Sequence, residues 1–332
     1  MKSTLFAFGF LFWTSSFFAQ KSAGNIRPTD FDRLTVLEDS LAFLAKIVVQ
    51  DTLSENRLAA QEKLLPMLRA ALAIPNSFNF AFSKVENIAI QKPSDGSFRI
   101  LTWQLFEDED HYRYFGFVQL NRSKPTVYEL VDNSKKLEKP ERLSLSPQEW
   151  YGALYYNITA FKTKEGMKYL LFGYNANDRY ERIKVCDVLI LSNRASVERG
   201  GILTFGAPVF EVADIQGRRP QKFHRLILNY SAEASLRLNY DTETGLIVHD
   251  HLQEMGTQNP NYPLTYVPDG TYEAFELKKA GYWAHIDKLP THAMDEAPRP
   301  VPKERSRNRV KQTKADAQKF EWPEDAKKQK ND

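Results

Sequence analysis

Cysteine is almost absent from this chain: Cys186 is the only one among 332 residues. A single thiol excludes an internal disulfide, so stability has to come from a packed core. No cysteine lies near the end of the first twenty residues, which removes the thiol that a lipid anchor there requires. Charge of one sign is lacking too. The 45 Lys and Arg residues stand against 42 Asp and Glu, a formal net charge of +3. That balance excludes the strongly basic surface by which a whole protein grips nucleic acid. Beyond the N-terminal segment, no apolar run approaches the ~20 residues of a bilayer-spanning helix. The H-E-x-x-H, G-x-G-x-x-G and P-loop patterns are missing, Ser231 has no G-x-S-x-G setting, and Cys186 has no flanking signature. Motifs therefore lead to no expected cofactor.

What the chain does have is rings. Aromatics make up 13% of it, with 22 Phe and 15 Tyr, and such side chains suit pleated, half-buried surfaces. The first residues read as an export leader: Lys2 is a short positive region, Leu5 to Trp13 are almost purely apolar, and cleavage is expected after Ala19. The expected destination is the periplasm, the cell surface or the medium. Four parts follow: a signal peptide over 1–19, a helical hairpin over 20–77, an antiparallel β domain over 78–290 and a disordered basic tail over 291–332. The tail opens with Ala297-Pro298-Arg299-Pro300-Val301-Pro302 and has too few apolar residues to offset the entropy of ordering.

Leu34, Leu37, Leu41, Leu44 and Val48 recur at spacings of three and four, one stripe of a helix that Asp30 can cap. Thr52 and Glu55 have capping-box spacing for a second helix, expected to carry Leu58, Leu65, Leu68 and Leu72 inward, to kink at Pro66 and to stop before Pro75. From residue 79 the period becomes two. Phe98 to Phe106 and Tyr112 to Leu120 flank an acidic tip, and Ala153 to Phe161 with Lys168 to Tyr174 form a second hairpin. Ile183 to Leu191, apolar on both faces except Lys184 and Asp187, reads as a central strand joined through Gly200-Gly201 to Ile202 to Val212. Phe223 to Tyr230, Ser235 to Tyr240, Leu246 to Leu252, Tyr272 to Leu277 and Tyr282 to Ile286 complete the set. The fold class is mainly β with an N-terminal α-helical hairpin. Its antiparallel meander is expected to close as a sandwich or barrel, or in a propeller-like way.

Six stretches together carry a resemblance. They are Ser97-Phe98-Arg99-Ile100-Leu101-Thr102-Trp103, Tyr112-Arg113-Tyr114-Phe115-Gly116, Trp150-Tyr151-Gly152-Ala153-Leu154-Tyr155-Tyr156, Tyr169-Leu170-Leu171-Phe172-Gly173, Phe205-Gly206-Ala207-Pro208-Val209-Phe210 and Tyr230-Ser231-Ala232-Glu233-Ala234. Over residues 30 to 290 the chain resembles an uncharacterised family of exported proteins from Bacteroidetes-type bacteria. The resemblance implies export and no activity. Where that family has Phe-Asp-His-Leu, this chain has His249-Asp250-His251-Leu252, so His249 departs from the pattern.

Two sets of residues are candidates for chemistry. His249 and His251 form an H-x-H on a strand, which puts both imidazoles on one face with Ile247, a geometry zinc or copper uses. A third ligand has to come from elsewhere, His224 or the neighbours of Asp250 across the sheet. The plainer reading is two partly satisfied histidines near a strand end. Asp250 shares its parity with Leu246, Val248 and Leu252, expected to point inward, and a carboxylate there must be paired or raised in pKa. With Glu233 one strand away, the two can act as acid and base on a glycosidic bond. Otherwise loop backbone, Arg225 or Arg237 satisfies Asp250. The Asn175 to Asp178 loop and the Glu107 to Asp110 tip carry oxygens that calcium accepts, but turn chemistry alone explains both. Three functions follow as expectations. One is an exported, non-catalytic binding or structural protein whose partner is an unknown ligand or envelope component. The alternative is a secreted hydrolase, with glycans as a candidate substrate. The third is a metal-binding module, which needs His249 and His251 to meet a third ligand.

Overall fold

The computed structural model describes residues 24–108, 111–122, 124–192, 203–213, 219–256, 265–287 and 289. The expected leader, the Gly200-Gly201 link and the basic tail lie outside them.

Helix α1 (Pro28–Gln50) starts at a proline, whose fixed φ suits the first helical position and whose missing N–H is not needed there. Its cap is therefore Arg27, and Asp30 sits in the first turn, where it accepts the Arg27 Nε–H at 2.7 Å. Helix α2 (Ser54–Leu72) begins after Leu53 without a side-chain cap, and it continues through Pro66. The predicted stripe of α1 is buried at Leu34, Leu41 and Val48, joined by Ala45. That of α2 is rotated from expectation: Ala60, Leu64, Leu68, Ala71 and Leu72 are buried, while Leu58 is exposed. The rotation arises because two polar members of the buried stripe find partners. Arg57 donates to the carbonyls of Phe106 (2.6 Å), Asp51 (2.8 Å) and Thr52 (3.0 Å), and Gln61 accepts the Trp103 indole N–H at 2.8 Å. Arg57 is satisfied in this way and can be buried without the usual penalty, whereas Gln61 pairs its oxygen and leaves its Nε2 without a partner.

Strands β1 (Ala89–Gln91), β2 (Phe98–Asp108), β3 (His111–Leu120) and β4 (Thr126–Val131) pair in sequence as sheet 1. Then β5 (Leu154–Thr163), β6 (Gly166–Asn175), β7 (Glu181–Leu191) and the short β8 (Leu203–Phe205) build sheet 2. The chain crosses to sheet 3 for β9 (Phe210–Val212) and β10 (Gln221–Phe223), and returns to sheet 2 for β11 (Leu226–Ser231). Sheet 3 is completed by β12 (Leu238–Asp241), β13 (Leu246–Met255), β14 (Thr265–Leu277) and β15 (Trp283–Ile286). Sheet 3 runs β10-β9-β15-β14-β13-β12, antiparallel except where β15 meets β9. Two expected long strands are thus each broken in two. Gly206 at φ 87° and Pro208, which has no N–H to donate, end β8 and release the chain to the other sheet.

The period of two turns these sheets into layers. Leu101, Trp103, Leu105 and Phe117 face the helices, while Phe98, Ile100, Tyr114 and Val118 on the same strands face sheet 2. In sheet 2, Tyr169, Leu171, Val185 and Leu189 meet sheet 1, and Leu170, Phe172, Cys186 and Val188 meet sheet 3. Sheet 2 is therefore covered on both faces, which is why β6 and β7 read as near-continuous apolar runs. Among the described residues the antiparallel sheets stack in a sandwich-like arrangement, with the helical hairpin on the outside of sheet 1 and no closed barrel. Among the described residues no helix is long and apolar enough to cross a membrane.

One ion pair interrupts the inner layers. Arg225, fully buried, donates Nε–H to Asp187 Oδ1 at 3.1 Å and its Nη groups to the carbonyls of Pro140 and Phe205. Asp187 also accepts the Val188 N–H at 2.8 Å, and its second oxygen lies 3.4 Å from the Tyr155 hydroxyl. That hydroxyl in turn accepts the Trp150 indole N–H at 2.9 Å.

Candidate metal centre

Cross-strand register assembles the site. In the ladder of sheet 3, His249 on β13 lies directly opposite Glu273 on β14, and His285 on β15 lies opposite Phe275, one pair further along. By parity His249, Glu273 and His285 occupy the face that also carries Ile247, Phe275 and Trp283, the face turned toward sheet 2. A polar patch thus caps the apolar interface between sheets 2 and 3.

The ligand atoms of His249, Glu273 and His285 all lie within 4.8 Å of one another. Glu273 Oε2 is 3.3 Å from His285 Nε2 and 3.6 Å from His249 Nε2. Metal–ligand bonds of about 2.0–2.1 Å place tetrahedral ligands about 3.3–3.4 Å apart, so the spacing suits a cation at the centre of the group. The hydrogen bonding of His249 sharpens this. Its Nδ1 sits 2.9 Å from the Asp250 carbonyl oxygen, which can only accept, so Nδ1 carries the proton. Burial lowers the His249 pKa and keeps the ring neutral, with the Asp250 carbonyl and Glu273 acting against the shift. Neutral His249 then points the Nε2 lone pair at a carboxylate oxygen. Two acceptors face each other, an arrangement a bound cation relieves. A backbone carbonyl fixing the ring tautomer is also the usual outer support of a metal-ligating histidine. Glu273 is held below the ordinary carboxylate range, first by the hydrogen bond from His285 and against the opposing effect of burial.

His251 approaches from the other side. Its Nδ1 is 2.8 Å from Asp269 Oδ2 and its Nε2 is 3.8 Å from Glu273 Oε1. The β13–β14 ladder slips between Asp250 and Leu252, where Asp269, Gly270 and Thr271 bulge opposite His251. Gly270, at φ 88°, supplies the conformation the bulge needs. The same bulge aims Asp269 at the imidazole. Asp269 is pulled down to about 2, first by the Thr271 hydroxyl and backbone N–H and then by His251. A carboxylate that grips the distal nitrogen of a histidine orients it as a ligand. The donors are imidazoles and a carboxylate with no thiolate, which suits zinc or another divalent first-row metal over copper(I), calcium or magnesium.

His249 and His251 are thus brought to one carboxylate. The third ligands the sequence does not single out are Glu273 and His285. Both carry a legible signal: Glu273 alternates with Phe275 and Leu277, and His285 with Trp283, so parity alone puts them on an inward face. His224 is elsewhere, its Nδ1 3.0 Å from the Ser144 hydroxyl. Asp250 is on the opposite face from the one expected, because Ile247 and His249, not the even-numbered residues, face sheet 2. Its carboxylate accepts the Arg237 backbone N–H at 2.6 Å, and burial raises its pKa despite that bond. Glu233 is exposed in the turn after β11, and no hydrogen bond or ion pair joins it to Asp250. Asn175 Oδ1 accepts the Asn177 backbone N–H, and Asp178 accepts the backbone N–H groups of Tyr180 and Glu181 and the Asn177 side-chain amide, as turn residues do. Glu107 pairs with Arg113 at 2.7 Å, and residues 109 and 110 lie outside the described residues.

A cavity of about 290 Å³ opens beside the cluster, lined by His249, Glu273 and His285 among others, with Arg225 also on its wall. A larger surface hollow of about 800 Å³ lies along residues 164–169 and 190–192, but among the described residues it brings no set of metal-ligating side chains together. No family model, curated protein or solved structure matches the chain, so the case for this centre rests on its own residues.

Proposed function

We propose that this chain is an exported protein of the cell envelope that binds one divalent first-row metal ion, zinc foremost, through His249, Glu273 and His285, with His251 as a fourth donor. The observation that carries the reading is the placement of the His249 ring, its Nδ1 2.9 Å from the Asp250 carbonyl oxygen and its Nε2 3.6 Å from Glu273 Oε2. The apolar leader pattern of residues 2–19 supports export. Exported chains meet free metal without the competing thiols of a reducing compartment, and a site of nitrogen and oxygen donors is not lost to oxidation as a thiolate would be.

The test is zinc titration of the chelator-treated protein by calorimetry, with metal analysis after dialysis. One equivalent is expected to bind. His249→Phe keeps the ring volume in its buried setting and removes both nitrogens, so it is expected to fold and to lose that equivalent. Zinc bound by the variant as tightly as by the parent, or no zinc bound by either, defeats the reading.

A further inference from the structure

The cavity and the metal cluster share a wall. His249, Glu273 and His285 line both, whereas His251 does not line the cavity. Any coordination position left free by the protein on the cavity side therefore opens into a half-open cleft. Apart from Arg225 and from Glu141, whose carboxylate lies 3.7 Å from Arg142 Nε, the rest of the lining is apolar. Val212 and Phe223 flank it within sheet 3, and Leu226 and Leu228 face it from β11 of sheet 2, on the side of that strand that packs toward sheet 3. The one cation on the wall is committed: the Arg225 donors go to Asp187 and to the carbonyls of Pro140 and Phe205. The guanidinium is fully buried and turned to its Asp187 counter-charge, so the metal is the charge offered to an anionic head. A divalent ion with Glu273 keeps one positive charge, which one monoanionic donor neutralises. At about 290 Å³ the space is at the small end of ligand pockets, enough for a body of roughly ten non-hydrogen atoms.

Resting on the metal reading above, we infer that the exchangeable ligand of this centre is a small monocarboxylate with an apolar chain, its head on the metal and its chain among Leu226, Leu228, Val212 and Phe223. Coordination is by displacement of bound water, with no covalent bond of the ligand broken.

The experiment uses the full chain loaded with cobalt(II), whose visible bands report changes in coordination, titrated with acetate, propanoate, butanoate, pentanoate and hexanoate. The bands are expected to shift with each acid, and affinity to rise about fourfold per added methylene until the cavity is full. Leu228→Trp fills the cavity and is expected to abolish the dependence on chain length. The unmodified series is decisive by itself if that variant does not fold. Unchanged bands with cobalt bound, or the same affinity for all five acids, overturn the inference and leave the metal reading standing. Absence of any protein-bound cobalt spectrum overturns the metal reading, and this inference falls with it.

Discussion

Glu273→Gln is expected to weaken zinc binding by at least about 100-fold, since loss of an outer partner of a ligand already costs 10–100-fold. Glu273 is the hub of the cluster. Its Oε2 faces His249 and His285 and its Oε1 faces His251. The amide keeps the shape and removes the charge, and one of its two head atoms becomes a donor that repels a cation. The change is legible in stability as well as in affinity. Zinc at 100 times its dissociation constant adds about 2.7 kcal/mol to a protein that binds it only when folded. Thermal melts with and without zinc are expected to separate for the parent and to coincide for Glu273→Gln. Glu276→Gln, on the same strand but with its side chain turned to the other face, is the control and is expected to melt like the parent. If Glu273→Gln retains the zinc-dependent rise, the hub has been misassigned.

The second large effect lies between the sheets. Asp187→Ala is expected to cost about 3–5 kcal/mol in urea unfolding, because it leaves the Arg225 guanidinium buried without its counter-charge. Both side chains of the pair are fully buried, so water cannot take the place of the lost carboxylate. Asp187→Leu combined with Arg225→Met is expected to recover most of the loss, since removing both charges removes the desolvation penalty with the attraction. The carbonyls of Pro140 and Phe205 lose a donor in that double variant, which keeps the recovery short of complete. A loss below about 1 kcal/mol for Asp187→Ala places the pair among those of negligible worth, as exposed pairs are.

How much of this was legible in the residues follows from which signals are local. The helical stripe of Leu34, Leu41 and Val48 and the two-faced apolar run of β7 depend on neighbours a few positions away, and both are present in the structure. The division of 202–212 and of 223–230 between two sheets was not legible, because the surrounding apolar pattern continues across Gly206 and across His224-Arg225. The face of α2 was misjudged at Leu58 because the buried Arg57 and Gln61 meet partners distant in sequence, Phe106 and Trp103. The candidate centre is the clearest case. The H-x-H at His249 and His251 advertised itself, but Glu273 and His285 join it only through the β13–β14 and β14–β15 registers. A single sequence fixes the parity of a strand and leaves its register open. The same limit put Asp250 on the wrong face: an apolar residue stands on each side of the strand at Ile247 and Val248, so composition does not choose between them.

X-ray absorption at the zinc edge of the loaded, full-length protein is the most direct measurement of the central claim. The account predicts a first shell of nitrogen and oxygen at about 2.0–2.1 Å with no sulfur, and the outer-shell scattering of at least two imidazole rings. A spectrum without imidazole scattering, or one whose imidazole signal survives in the His249→Phe, His251→Phe, His285→Phe triple variant, contradicts it.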